Sequence, residues 1–158
     1  MKLHVLILIV LVILIGVLAF LDYALAATLF WPFLFIFAVL GAAFTLSVWN
    51  TNRKTTYLLY LPAFLLLITI IRIVQFSPVK PFRLFYQNLK PGLSQQQVYE
   101  RLEAYFPNEG RYERPVLTHL DDGSLHISLN PKDPKYDSEV VFITFQNGSV
   151  KYAEYSAD

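Results

Sequence analysis

Three long apolar runs occupy the first half of this chain, over residues 3–21, 24–46 and 57–76. Each is close to or above the ~18 residues that a helix needs to cross a bilayer's hydrocarbon core. Only helices and closed barrels satisfy their own backbone hydrogen bonds in lipid. The pattern therefore predicts three transmembrane helices, over about 3–21, 25–48 and 57–76, forming an anchor over 1–78. Residues 79–158 read as a separate, water-facing module.

Charge divides along the same line. Residues 1–78 carry only Lys2, Asp22, Arg53, Lys54 and Arg72, whereas 79–158 carry nine basic and eleven acidic side chains. A tail so balanced lacks the clustered basic face of a nucleic-acid binder. About 80 residues suffice for one small core. The chain has no cysteine, which excludes disulfides, thiolate metal sites, cysteine nucleophiles and a lipidated N-terminal cysteine. No cofactor is expected, since phosphate-loop and dinucleotide motifs are absent.

The first run has two readings. Lys2 before an apolar stretch, with Ala24-Leu25-Ala26 ahead of Ala27, has the form of a secretory signal cleaved after Ala26. Residues 5–21 hold no polar side chain, however, and so exceed the ~7–15 residues of a signal's apolar region. The retained helix is the preferred reading. In the second run, Trp31 and Trp49 suit the two membrane interfaces, and Pro32 falls in the first turn, where a missing N–H costs least. Gly41-Ala42-Ala43 offers a small-residue face for close packing. In the third run Pro62 predicts a bend, and Arg72 can extend to water from the far end. No ionisable group lies at mid-depth, which argues against a pump or channel. Arg53 and Lys54 in the polar loop before the third run place that loop in the cytoplasm by the positive-inside rule. The tail then lies outside, although Arg72, Lys80, Arg83 and Lys90 pull the other way.

The tail predicts two helices and four strands. Residues 79–88 form a first, aromatic helix. Leu93-Ser94-Gln95-Gln96-Gln97-Val98 is a helix start: Ser94 as N-cap, Gln97 closing a capping box, and Leu93 with Val98 as the hydrophobic staple. Val98, Leu102 and Phe106 then make a buried stripe that ends at Pro107. Asp122-Gly123 and Asn147-Gly148 are two-residue hairpin signals. The first predicts Leu120 opposite Leu125, Thr118 opposite Ile127 and Val116 opposite Leu129. The second predicts Phe145 opposite Val150 and Ile143 opposite Tyr152. The loop 131–138 joins the hairpins. The expected fold class is thus a membrane α-helical anchor plus a small α+β domain, two helices packed on a four-stranded antiparallel sheet.

The stretch Leu89-Lys90-Pro91-Gly92-Leu93-Ser94-Gln95-Gln96-Gln97-Val98 resembles the signature of the SmpA/OmlA family, the BamE-like domain. Residues 140–150, from Val140-Val141-Phe142 to Gly148-Ser149-Val150, are similar to its closing hairpin. The resemblance covers 82–156 and none of the membrane half. It implies two helices on an antiparallel sheet, a fold shared with a β-lactamase inhibitor protein, acting as a non-catalytic scaffold outside the cytoplasm. That family carries a lipoprotein cysteine and three strands, so only the binding-module expectation transfers.

Two candidate sites follow. Val140, Phe142 and Tyr155 fall on the wetter sheet face in the expected register. With Phe82, Phe85 and Tyr86 of the first helix they form an expected partner-binding patch for other membrane proteins. His119 and His126 fall opposite each other, about 5 Å apart, with Asp121 on the same face, which offers a two-His, one-carboxylate metal site or an enzymatic centre as the alternative. The bland reading, polar strand residues beside a turn, outweighs it. Ser124, His126 and Asp122 do not form a triad, because strand neighbours point to opposite faces. The expectation is a non-enzymatic accessory subunit, assembly factor or scaffold. It would sit in an inner, plasma or internal energy-transducing membrane, with its C-terminal domain extracytoplasmic.

Overall fold

The computed structural model describes residues 2–52, 58–129 and 139–157. Two compact units divide the chain, Met1–Lys80 and Pro81–Asp158. The Arg53/Lys54 loop and the loop 131–138 lie outside the described residues.

The first unit is helical. α1 (Lys2–Leu25) is followed by a 3-10 turn (Ala27–Leu29), α2 (Trp31–Asn52) and α3 (Tyr60–Ile73). Ile7, Leu11 and Leu18 of α1 pack with Leu34 and Phe37 of α2 and with Phe64, Ile68 and Ile71 of α3. Within α1 and α2, the stretches Leu3–Leu25 and Trp31–Thr51 are long and apolar enough to cross a membrane, yet only 17% and 22% of their most apolar windows are buried. A soluble core helix would hide such a surface; these helices present Val5, Ile9, Val12, Phe20, Phe35 and Ile36 outward. Gly41 of α2 leaves room for Phe64 of α3. A Cβ there would overlap the ring of Phe64, which is itself 2% exposed.

The third expected span is corrected. α3 has 14 residues, about 21 Å at 1.5 Å per residue, against a hydrocarbon core of about 30 Å. Leu58 and Leu59 form a 3-10 turn instead. Pro62 sits in α3's first turn, where its missing N–H has no helical partner to lose, so it opens this helix rather than bending it.

α4 (Val79–Gln87) opens with the last two residues of the first unit and continues into the second. α5 (Gln95–Tyr105) begins as expected: Ser94 Oγ accepts from the Gln97 N–H, and Gln97 Oε1 accepts from the Ser94 N–H. Ser94→Ala should therefore lower the melting stability of the second unit by about 1 kcal/mol, with Ser94→Asp nearly neutral. Val98, Leu102 and Phe106 are at most 1% exposed.

Strands β1 (Val116–His119), β2 (Leu125–Ser128), β3 (Glu139–Gln146) and β4 (Ser149–Ala157) form an antiparallel meander in the order 1-2-3-4. Leu125, Ile127, Val141 and Ile143 form its fully buried face. The second turn is the expected one, with Asn147 and Gly148 both at positive φ, 53° and 75°. Phe145 pairs with Val150, but a bulge between Thr144 and Phe145 then shifts the ladder, so Ile143 meets Ala153 rather than Tyr152. The first turn differs. Gly123 (φ 79°) donates to the Leu120 carbonyl, and Leu120 N–H donates to Ser124 O. This is a three-residue loop with glycine in the left-handed position. Val116 therefore pairs with Ser128, Thr118 with His126, and His119 with Leu125. That one-residue slip turns β1 over relative to the expected pairing.

Candidate functional site

Register decides what each sheet face can do. Thr118, His126, Phe142 and Glu154 are paired in series across all four strands and form one rung of the face opposite the buried one. Thr144 and Tyr152 form the next rung. Phe142 and Tyr152 are 38% and 46% exposed. The His126 imidazole stacks on the Phe142 ring at 4.8 Å and 22°. This row, aromatic with a polar border, is the candidate binding face.

The expected patch is redistributed. Phe82 and Phe85 are fully buried and Val140 is 5% exposed. Phe82 packs edge-on to Phe106 at 6.3 Å, and Phe85 edge-on to Tyr105 at 6.5 Å. Tyr155 pairs with Val141 and so lies on the buried face, not beside Phe142. There its ring lies 5.3 Å from Tyr86 and 6.4 Å from Phe82, and its hydroxyl accepts from Arg83 Nε at 2.8 Å. Arg83 also reaches Glu139 at 3.3 Å. Burial raises the Glu139 pKa, and the Arg83 charge only partly opposes this. Of the six expected contact residues, Phe142 alone is exposed; Tyr152 was missed because the bulge was not foreseen.

The metal arrangement is also corrected. His119 and His126 lie on opposite faces, since they pair with Leu125 and Thr118 respectively. His119 Nε2 instead lies 3.1 Å from the Tyr99 hydroxyl. Asp122 is occupied locally: its Oδ1 accepts from the Ser124 hydroxyl at 2.6 Å and from its N–H at 2.9 Å. Those bonds lower its pKa. Among the described residues no three His, Cys, Asp or Glu side chains could share a metal.

A second cluster, in the first unit, escaped the sequence reading. Asp22 sits in the last turn of α1, where the helix dipole disfavours an anion. Lys80 Nζ lies 2.8 Å from Asp22 Oδ2, and the two side chains are 2% and 0% exposed. Asp22 Oδ1 accepts from the Thr28 N–H at 3.0 Å and from its hydroxyl. Lys80 Nζ donates to Thr28 Oγ1 at 2.9 Å and to the carbonyls of Ile71 and Val74 at 2.9 and 3.1 Å. The ammonium thus caps the C-terminal end of α3, whose last carbonyls have no helical donor. Ala26, at φ 47°, makes the left-handed turn that brings Thr28 back over Asp22. Every strong donor and acceptor in this cluster is used, so it holds the unit together rather than offering a vacant site.

No family model matches this chain, and no significant match was found among curated proteins or solved structures. Function is therefore read from the chain's own surfaces.

One property of the open face is measurable directly. Burial lowers the His126 pKa below its ordinary 6.5, so the unfolded chain binds this proton more tightly than the folded one. The stability that neutral His126 contributes is present above pH 6.5 and lost as the pH falls from there toward the lower folded value. Denaturant midpoints at pH 7.5 and 5.5 should fall further in the wild type than in His126→Gln, and an NMR titration should place the His126 midpoint below 6.5.

Proposed function

We propose that this chain is an integral membrane protein-binding module, an accessory subunit, assembly factor or scaffold of a larger membrane complex. α1 and α2 anchor it, and the open sheet face contacts another membrane protein. The observation that carries this reading is the exposed aromatic row, Phe142 braced by His126 with Tyr152 one rung away. Pre-ordered aromatic rings are the usual energetic centres of protein contacts, because little side-chain entropy remains to be lost. Anchoring confines module and partner to one bilayer and raises their effective concentration. The resemblance of 82–156 to the SmpA/OmlA family supports the same non-catalytic role.

In this reading α1 is retained. Cleavage after Ala26 would remove Asp22 and strand the buried Lys80 ammonium. The positive-inside rule applied to Arg53 and Lys54 puts the connection after α2 in the cytoplasm. Although α3 alone is short, Tyr60 meets His4 at the start of α1 and Lys80 meets Asp22 at its end, so the chain from α3 to Lys80 runs the length of α1, which supports a second unit outside the cytoplasm. Because the chain has no cysteine, Lys151→Cys gives a single thiol on an exposed strand position. It should react with a membrane-impermeant maleimide on intact cells; labelling only after permeabilisation overturns the orientation.

Contact itself is tested with a photo-crosslinking residue at 142 or 152, and at exposed Glu103 on α5 as control. One adduct of constant mass is expected from 142 and 152 and none from 103, with Phe142→Glu abolishing the adduct at 152 while circular dichroism is unchanged. Absence of adducts, or identical adducts from all three positions, overturns the reading.

A further inference from the structure

A groove of about 560 Å³ runs between α2 and α3, within the range of small-molecule sites. Leu34, Ala38, Leu65 and Ile68 line its apolar wall. At one end stand Trp31, the first residue of α2, and Arg72, in the last turn of α3. The Arg72 guanidinium carbon lies 4.5 Å over the Trp31 ring. Thr69 also borders the groove, but its hydroxyl donates to the Leu65 carbonyl at 2.9 Å. Arg72 is therefore the one charged group among the described residues that line this groove. Among the described residues the ion pairs are Lys80–Asp22, Arg83–Glu139 and Arg114–Glu103, so Arg72 has no carboxylate partner.

An apolar slot topped by an uncompensated cation at the depth of an interfacial tryptophan has the polarity of a lipid, phosphate above hydrocarbon. We propose that this groove binds one anionic glycerophospholipid, an acyl chain lying along Leu34, Ala38 and Ile68 and the phosphate held by Arg72. A guanidinium fork matches phosphate oxygens two at a time, and stacking on Trp31 keeps it in place without using its N–H donors. A partner helix would fill the slot but leave Arg72 without a counter-charge unless it also brought a carboxylate to that depth. This inference rests on the membrane reading above.

The test is native mass spectrometry of the full chain in micelles doped with equal amounts of phosphatidylglycerol and phosphatidylcholine of identical chains. The wild type should retain one lipid, with phosphatidylglycerol preferred roughly tenfold, the ratio expected from charge-assisted hydrogen bonds. Arg72→Gln should bring that ratio close to one, and Ala38→Trp should remove both adducts. Arg72 is half-exposed, so the first variant tests headgroup recognition even where the second fails to fold. Equal retention of the two lipids by the wild type, an unchanged preference in Arg72→Gln, or displacement by excess inorganic phosphate overturns the proposal. Extraction of the protein from membranes by alkaline carbonate would instead overturn the membrane reading itself.

Discussion

Lys80→Met should destabilise the first unit by about 3–5 kcal/mol, the cost of leaving one member of a buried ion pair uncompensated. The removed ammonium neutralises Asp22 and also satisfies the carbonyls of Ile71 and Val74 and the Thr28 hydroxyl. Methionine keeps most of the volume, so the loss reports charge and hydrogen bonding rather than a cavity. Asp22→Leu should cost a similar amount, because it strands the ammonium. The double variant Asp22→Leu, Lys80→Met should recover most of the loss, since an apolar pair of similar volume avoids desolvating two ions. Both tryptophans, Trp31 and Trp49, belong to the first unit. Tryptophan fluorescence during SDS titration of the full chain therefore follows this unit alone. Additive losses in the double variant would show that Asp22 and Lys80 do not act as a pair.

Phe82→Ala should cost the second unit about 3–5 kcal/mol, the range for truncating a buried phenylalanine. Phe82 is fully buried, with Phe85, Phe106 and Tyr155 rings 6.2–6.4 Å from its own. Those neighbours belong to α4, the C-cap of α5 and β4, so no single element can move to refill the space. Phe82→Leu should cost less. Phe142→Ala, on the open face, should stay within about 1 kcal/mol, because an exposed ring loses little on removal. Near-ultraviolet tyrosine dichroism reports the transition in this tryptophan-free unit. Equal losses at 82 and 142 would contradict the assignment of one ring to the core and the other to the surface.

The contrast between those two phenylalanines marks what could be read from the sequence. The start of α5 was legible because capping is local: Ser94 and Gln97 satisfy each other's backbone groups whatever surrounds them. Asn147-Gly148 was legible for the same reason. Asp122-Gly123 was misread because one Gly serves both a two-residue turn and a three-residue loop with a left-handed third residue. The difference is one residue, and with a side-chain period of two it sent His119 and His126 to opposite faces. The bulge after Thr144 likewise carried Tyr155 onto the face of Val141 and Tyr152 onto the open one. The Asp22–Lys80 pair joins residues 58 positions apart, which no local pattern encodes. The third apolar run was long enough on paper, but its α-helix opens around Pro62 and stops at Ile73, where Val74 turns extended, after 14 residues.

Gly41 acts on α2 as a socket for the Phe64 ring, and the fit is angular as well as spatial. Each residue added to or removed from α2 ahead of position 41 would rotate the socket by about 100°, replacing the gap with a side chain. Point changes on the outward surface of α2 leave that alignment intact, whereas a single-codon insertion or deletion does not. Selection on this half of the molecule should accordingly fall on spacing more than on spelling.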